Sequence, residues 1–329
     1  MQALLIVNPH ATSTTGLRRD VIVHALASQI DLEVMQTRYR GHASSLAAKA
    51  VSDGYSLVLT LGGDGTVNEA VNGLLSRSGD GADGHVAGPP AYRGDRAGLI
   101  GGERPAFAAL PGGNANVFTR SLGLPTDAVE ATGQVIEALR ADRSRTIGLG
   151  VAGGRYFTFN AGMGMDAEVV RAVEGLRAQG RTITPSLYLW TAVRQFYAVT
   201  DRRHPALTLH RDSHSAIGPL FLGIIGNTAP WTFLGRRPVN PSPQASFETG
   251  LDVFALRRLR TVGTLTALRK MLRTSTEPPQ GGHVLNLHDQ AAFSLRSTRP
   301  TAVQVDGEYV GEYEDVLFRS VPDALRVFA

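Results

Sequence analysis

The stretch Leu61-Gly62-Gly63-Asp64-Gly65-Thr66-Val67-Asn68-Glu69 decides how the first half of the chain is read. Before it lies Ser56–Leu61, a leucine-rich and β-branched run of the kind that fills a buried parallel strand. After it, Thr66–Leu75 reads as a helix. Glycines at a sharp strand-to-helix turn let the backbone pass close to a ligand. The helix N-terminus offers free N–H groups and a partial positive charge, a natural seat for phosphate. Asp64 would repel phosphate directly, so in a phosphate site it acts through a cation or water. The same residues also suit a tight turn with an aspartate cap, and the spacing alone leaves both readings open.

The segments around this turn repeat its pattern. Leu4–Asn8 and Leu32–Thr37 read as strands, Leu17–Ile30 and the alanine-rich His42–Ser52 as helices. His42 is a candidate cap for its own helix. Further on, Ala106–Leu110 is strand-like, and Ala115–Leu122 and Asp127–Leu139 are helical, the last with Thr126 as its N-cap. This βαβα order predicts an N-terminal doubly wound, Rossmann-like α/β domain. Such sheets bind ligands beyond the carboxyl ends of their strands. Asn8-Pro9-His10-Ala11-Thr12 and Leu110-Pro111-Gly112-Gly113-Asn114-Ala115-Asn116 are also strand-to-helix turns, so both are expected at the edge that carries Gly62-Gly63. Ser76–Arg104 is crowded with Gly, Pro, Asp and Arg, lacks periodicity, and reads as a flexible insertion.

The second half changes character. Thr146–Val151 and Arg155–Asn160 flank Gly153-Gly154, a hairpin signal. Short strands are expected at Ala206–His210, Leu220–Gly226, Leu251–Leu256, Ala292–Arg296, Ala302–Val305 and Val316–Arg319, with helices at Asp166–Leu176 and Leu187–Ala198. This predicts a mainly antiparallel β-sandwich domain. The expected division is 1–145 for nucleotide binding, with the insertion at 76–104, then 146–320 for the substrate domain. Residues 321–329 form a tail that packs back on the first domain.

Composition narrows the function classes. A chain of 329 residues with 43% hydrophobic content can bury two cores. There is no apolar run long enough to span a bilayer, and Met1–Val7 is too short for a secretory core, so a cytoplasmic protein is expected. Cysteine is absent, which excludes disulfides, thiolate nucleophiles and cysteine metal sites. A net charge of +4 suits a phosphate ligand or an anionic membrane face, whereas scattered arginines without a Lys/Arg run argue against nucleic acid. The nine histidines form no HxH or HExxH grouping, so zinc is not expected. The Walker pattern GxxxxGK[ST] is missing too.

Taken together, these motifs resemble the diacylglycerol kinase catalytic-domain family, which includes bacterial diacylglycerol kinases, sphingosine kinases and ceramide kinases. The resemblance rests on Asn8-Pro9, Thr37 with Gly41-His42-Ala43, the GGDGTVNE run, and Leu110-Pro111-Gly112-Gly113 with Asn116. It extends through Tyr156–Gly164 and Gly250-Leu251-Asp252-Val253 to Asp306-Gly307-Glu308. GGDGT alone is shared with NAD kinases and phosphofructokinases; GGDGT followed by Asn68-Glu69 with a late DGE is far more specific.

The resemblance implies ATP as phosphoryl donor, Mg2+ as cofactor and a diacylglycerol-like lipid hydroxyl as acceptor, giving a phosphatidic-acid-like product in phospholipid metabolism. Nucleotide contacts then fall on Asn8, Pro9, His10, Ala11, Thr12, Thr37, Gly62, Gly63, Asp64, Gly65, Thr66, Val67, Asn68, Glu69, Gly113 and Asn114. ATP is expected in the cleft between the domains. Asp64 would organise Mg2+, and Glu308 falls on the family's general base. Glu248 and Asp252 are the expected ligands of a structural Mg2+. Read alone, the DGE turn is equally a hairpin with exposed acids. The implied protein works at the inner face of the membrane, with room for a homodimer. Trp190, Phe196 and Tyr197, with Arg181, Arg202 and Arg203 around them, are either core residues or the membrane contact.

Three positions depart from the family pattern. Relatives read Gly-Thr-x-Asn-Asp where this chain has Gly113-Asn114-Ala115-Asn116-Val117, they carry an aspartate where this chain has Gly148, and Glu248 stands where an aspartate is usual. The rivals are a NAD kinase-like enzyme, which shares GGDGT, and a catalytically inactive nucleotide- or lipid-binding homologue.

Overall fold

The computed structural model describes residues 1–11, 16–76, 104–181, 185–212, 214–273 and 275–329. Thr12 and nearly all of the insertion at 76–104 lie outside the described residues. The chain divides into two compact units, Met1–Ile147 with Asp323–Ala329, and Gly148–Pro322.

The first unit contains β1 (Gln2–Val7), α1 (Gly16–Ala27), β2 (Asp31–Gln36), α2 (His42–Ser52), β3 (Leu57–Gly62), α3 (Asp64–Leu75), β4 (Ala106–Pro111), α4 (Val117–Ser121) and α5 (Ala128–Arg140). Its strands lie in the order β2-β1-β3-β4, all parallel. Val327 of the last strand pairs with Phe107 and extends the β4 edge. Every residue of β3 and β4 is buried, as the unbroken apolar runs require in a sheet covered on both faces. Helices α2 and α3 pack together, as do α1 and α5. This is the doubly wound α/β architecture that the alternating segments imply. The chain steps outward from β1 to β2 and then back across to β3. The β1/β3 border is therefore the topological switch point, where this class of sheet opens a crevice.

Three local details differ from expectation. Helix α3 begins at Asp64, two residues early, with Gly63 as its N-cap, so Asp64 and Gly65 belong to the helical first turn. The N-cap of α5 is Asp127 rather than Thr126: its carboxylate accepts from the N–H groups of Val129 and Glu130 at 2.9 and 3.2 Å, and its charge complements the helix N-terminus. His42 does not cap α2; its Nδ1 accepts from the Arg38 N–H at 3.1 Å. Glu69 does the capping, with Oε1 accepting from Gly41 N–H at 2.7 Å and Oε2 from Ala43 N–H at 3.2 Å.

The close contact of α2 with α3 depends on Gly73, where a Cβ would fall 2.1 Å from the backbone oxygen of Ser44. Gly73→Ala should therefore destabilise the protein by about 2–3 kcal/mol, since neither helix backbone can yield cheaply. Urea unfolding measures this, and an unchanged midpoint would show that α2 sits more loosely.

The second unit is mainly antiparallel. It begins within β5 (Ser144–Ala152) and continues through β6 (Arg155–Phe157), β7 (Asn160–Gly164), α6 (Met165–Ala178), α7 (Pro185–Arg194), a π-helical turn (Gln195–Val199), β8 (Leu207–His210), β9 (Ile217–Leu220) and β10 (Leu222–Gly226). A small hairpin, β11 (Thr232–Leu234) with β12 (Arg237–Val239), precedes β13 (Leu251–Leu256), α8 (Thr261–Met271), β14 (Val284–Gln290), β15 (Ala292–Val305) and β16 (Glu308–Phe328). β5 and β6 form the hairpin signalled by Gly153-Gly154. The main sheet runs β14-β13-β10-β7-β15-β16.

Where two short strands were expected at Ala292–Arg296 and Ala302–Val305 and one at Val316–Arg319, two long strands, β15 and β16, occur. β15 pairs along its length with β16, but on its other side meets β8 through Ser294–Ser297 and β7 through Val303–Val305. The register shift between Arg296 and Thr301 lets one strand serve two sets of partners around a shared core, in which Phe293 stacks on Phe318. A second core, built from Leu222, Ile224, Phe254 and Leu256, is covered by Phe196 of the π turn and by Ala267 and Met271 of α8.

Candidate active site

In the first unit, the three strand-end turns converge as expected. Asn8 N–H donates to Leu61 O at 3.0 Å, and the Asn8 amide donates to Thr66 Oγ1 at 3.2 Å, crossing the switch point. Gly112 N–H donates to Gly62 O at 2.8 Å, which joins the β3 and β4 turns backbone to backbone. A Cβ on Gly113 would lie 2.7 Å from Gly63 Cα, and one on Gly112 would lie 2.9 Å from Gly62 Cα. The glycines are required because the two turns touch. Asn116 locks the second turn: in the left-handed region with φ 47°, it accepts from Gly113 N–H at 2.8 Å and donates to Gly113 O at 2.7 Å.

Around this surface the expected nucleotide residues take different positions. Pro9, His10 and Asn114 are exposed; Asn8, Ala11, Thr37, Gly63, Asp64, Gly65 and Gly113 are half-buried. Gly62, Thr66, Val67 and Asn68 are buried and support the turn from beneath. Glu69, as the cap of α2, also supports rather than faces a ligand. The first-turn N–H groups of α3 point from this edge, as a helix N-terminus requires.

Asp64 has a second duty that its motif does not announce. Its Oδ2 accepts from Val117 N–H and its Oδ1 from Phe118 N–H, both at 3.1 Å, so it caps α4 from across the site. A carboxylate oxygen can accept more than one hydrogen bond or ligand, so capping α4 is compatible with a role beside a cation. Val117, where relatives carry an acid, is a buried core residue whose N–H holds Asp64.

In the second unit, the DGE segment forms a two-residue turn, with Asp306 at φ 48° and Gly307 at φ 78°, between paired Val305 and Glu308. Asp306 is not an exposed hairpin acid. It is only 4% exposed and accepts four hydrogen bonds: Thr158 N–H at 2.7 Å, Thr158 Oγ1 at 2.9 Å, Phe159 N–H at 3.0 Å and Asn160 N–H at 3.1 Å. Its charge braces the entry to β7. Glu308 pairs with Arg155 at 3.0 Å, both side chains about one-fifth exposed. Beneath the turn, Gln304 accepts from Gly307 N–H at 2.9 Å and donates to Asn160 Oδ1 at 2.8 Å and Asp166 Oδ2 at 2.9 Å.

Asp166, Gln304 and Arg155 were not singled out from the sequence. The available signal was a lone glutamine, between Val303 and Val305, on the buried end of β15. Burial pushes the Asp166 carboxyl up to about 6 from 3.8, opposed by the Gln304 hydrogen bond. The folded protein therefore holds this proton more tightly than the unfolded chain, and the stability it contributes falls as pH rises from about 4 to about 6. Asp166→Asn should remove that slope and gain about 3 kcal/mol relative to the parent between about pH 4 and about pH 7. Urea unfolding at the two pH values checks this; parallel curves would contradict it.

The expected metal residues have separate partners. Glu248 bonds to Ser246, while Asp252 is 3% exposed and its Oδ1 accepts from His288 Nδ1 at 2.8 Å and Asp289 N–H at 3.1 Å. Among the described residues no three His, Asp or Glu side chains are grouped to hold a metal ion. At Gly148, a Cβ would sit 2.7 Å from Phe247 O, so an aspartate does not fit there. Trp190 and Tyr197 are 57% and 53% exposed, whereas Phe196 is buried and Arg202 lies over the Phe196 and Tyr197 rings at 4.9 and 5.3 Å. No helix among the described residues is long and apolar enough to cross a membrane.

The glycine turns after β3 and β4 meet backbone to backbone beside the N-terminus of α3, a geometry that suits a nucleotide phosphate at the carboxyl edge of a parallel sheet. Residues 2–151 match the model of the diacylglycerol kinase catalytic domain. Over 318 residues it is 26% identical to a diacylglycerol kinase of Staphylococcus saprophyticus, covering 94% of this chain and 90% of that one. A diacylglycerol kinase of Staphylococcus haemolyticus is 26% identical over 319 residues, covering 94% and 83%. The crystal structure of a diacylglycerol kinase from Bacillus anthracis superimposes with a TM-score of 0.69 at 18% identity, covering 99% of this chain and 96% of that one. It shares the fold.

Proposed function

We propose that this chain is an ATP-dependent lipid kinase that transfers the γ-phosphoryl group to the hydroxyl of diacylglycerol or a similar lipid. The observation that carries the reading is the backbone contact between the Gly62-Gly63 and Gly112-Gly113 turns at the carboxyl ends of β3 and β4, within residues 2–151 that match the diacylglycerol kinase model. Asn8, Gly63, Gly65, Gly113 and the first turn of α3 would hold the phosphates, with Pro9–Ala11 and Thr37 along the nucleotide. Phosphoryl transfer needs positioning and charge neutralisation above all. Mg2+ asks for only one or two carboxylates, the remaining ligands being phosphate and water, and half-buried Asp64 fits that demand. When bound, the ion would neutralise charge developing on the phosphates. Glu308, oriented by Arg155, would accept the proton of the lipid hydroxyl as its oxygen attacks phosphorus. Glu248 and Asp252 carry separate hydrogen bonds, and no step is assigned to them.

A lipid acceptor requires visits to a bilayer, and the exposed Trp190–Tyr197 face with Arg202 and Arg203 is suited to headgroup depth. A second reading, a nucleotide-binding protein without turnover, is favoured by the missing acids at Val117 and Gly148, both in packed sites. Purified protein with labelled ATP and a panel of diacylglycerol, ceramide, a sphingoid base and NAD separates these. Transfer to diacylglycerol supports the reading; transfer to NAD alone, or to nothing, overturns it.

A further inference from the structure

Helix α8 was not anticipated from the sequence and takes no part in the site above. Its inner side, Gly263, Ala267 and Met271, packs on His283 and the second core. Its outer side carries Val262, Leu265, Thr266 and Arg269, spaced i, i+3, i+4 and i+7 on one helical face. Val262 is 78% exposed and Leu265 58%, the first being the most exposed large apolar residue among the described residues of the second unit. From Val253 to Thr276 the chain holds Arg257, Arg258, Arg260, Arg269, Lys270 and Arg273 and not one Asp or Glu. Arg258, Arg260, Arg269 and Arg273 are exposed, and none has an ion-pair partner among the described residues. Folding does not explain two bare aliphatic side chains ringed by unpaired arginines, because neither group contributes to the core.

We propose that the outer face of α8 is a docking surface for an anionic lipid bilayer. The proposal rests on the lipid-kinase reading and names the surface that brings the enzyme to its substrate. Charge complementarity selects the partner: a cluster of cations without a carboxylate favours a polyanionic surface. The aliphatic pair selects a bilayer over nucleic acid, since Val262 and Leu265 can enter the acyl boundary while the arginines stay at the headgroups. Phe196 of the π turn and Met271 of α8 cover one core cluster, so the inner side of α8 is fixed by the core and its outer side is left to solvent.

The test is co-sedimentation of the purified full chain with phosphatidylcholine vesicles, with and without a third of the lipid replaced by phosphatidylglycerol. Binding should rise with phosphatidylglycerol and fall with salt. The triple variant Arg258→Gln, Arg260→Gln, Arg269→Gln should lower partitioning by about 100-fold, at roughly fivefold per arginine. Val262→Ser with Leu265→Ser should weaken binding in a salt-independent way. Both variants should keep the parental melting temperature and full activity on short-chain diacylglycerol in detergent micelles. Unchanged vesicle binding in both, with loss only on Trp190→Ser, would overturn the proposal. So would loss of duplex DNA binding alongside intact vesicle binding. A parent that binds vesicles through α8 yet phosphorylates no lipid in micelles would instead overturn the kinase reading.

Discussion

Turnover of the Glu308→Gln enzyme should fall by about 10²–10⁴, the usual worth of a positioned general base, while the KM for ATP stays within a few-fold. The separation is expected because Glu308 and the nucleotide turns belong to different units of the chain. Glutamine keeps the shape of the side chain and an oxygen that can accept from Arg155, so the 3.0 Å contact has a replacement and the hairpin should hold. Asp306, one turn away, is left with all four of its hydrogen bonds, so loss of activity cannot be blamed on a collapsed β15–β16 turn. Steady-state kinetics on micellar diacylglycerol measure the effect. Near-parental kcat would remove Glu308 from the chemistry.

Asp64→Asn should be the other large loss, about 10²–10³ in kcat, because an amide cannot neutralise a cation beside phosphate. The structure adds a structural cost to this residue. Asparagine retains one acceptor for the two N–H groups at Val117 and Phe118, so the α4 cap weakens by about 1–2 kcal/mol. The variant should therefore still fold, with a modestly lower Tm and an activity that excess Mg2+ does not restore. An active Asp64→Asn enzyme would confine Asp64 to capping. A variant that does not fold would make the cap its dominant role.

The first unit was legible because its signals are local. Each apolar strand run ends in a glycine turn and leads into a helix within a few residues, and the switch-point turns follow from that order. What was not legible depends on distant partners. Asp64 finds its acceptor role 53 and 54 residues away, and Glu69 caps a helix 26 and 28 residues back, distances at which a motif says nothing about pairing. Asp306 reads as a turn acid until its partners, 146 to 148 residues earlier, surround it.

The second unit was only partly legible for different reasons. Helix α8 opens on Thr261-Val262-Gly263-Thr264, poor helix formers held in place by tertiary packing. β16 hides its length because Gly311-Glu312-Tyr313-Glu314-Asp315 interrupts the apolar alternation that marks a strand. Exposure of Trp190 beside burial of Phe196 likewise could not be read from a stretch where both are aromatic.

The central claim is phosphoryl transfer from ATP to a lipid hydroxyl, and the most direct measurement follows the phosphate itself. Purified protein is incubated with γ-labelled ATP, Mg2+ and diacylglycerol in mixed micelles, and the organic-solvent extract is resolved. The account predicts label in a phosphatidic-acid-like product, formed by the parent and nearly absent with Glu308→Gln. Label that appears only in the aqueous phase, as phosphorylated NAD or as free phosphate, while the protein binds ATP and remains folded, would contradict it.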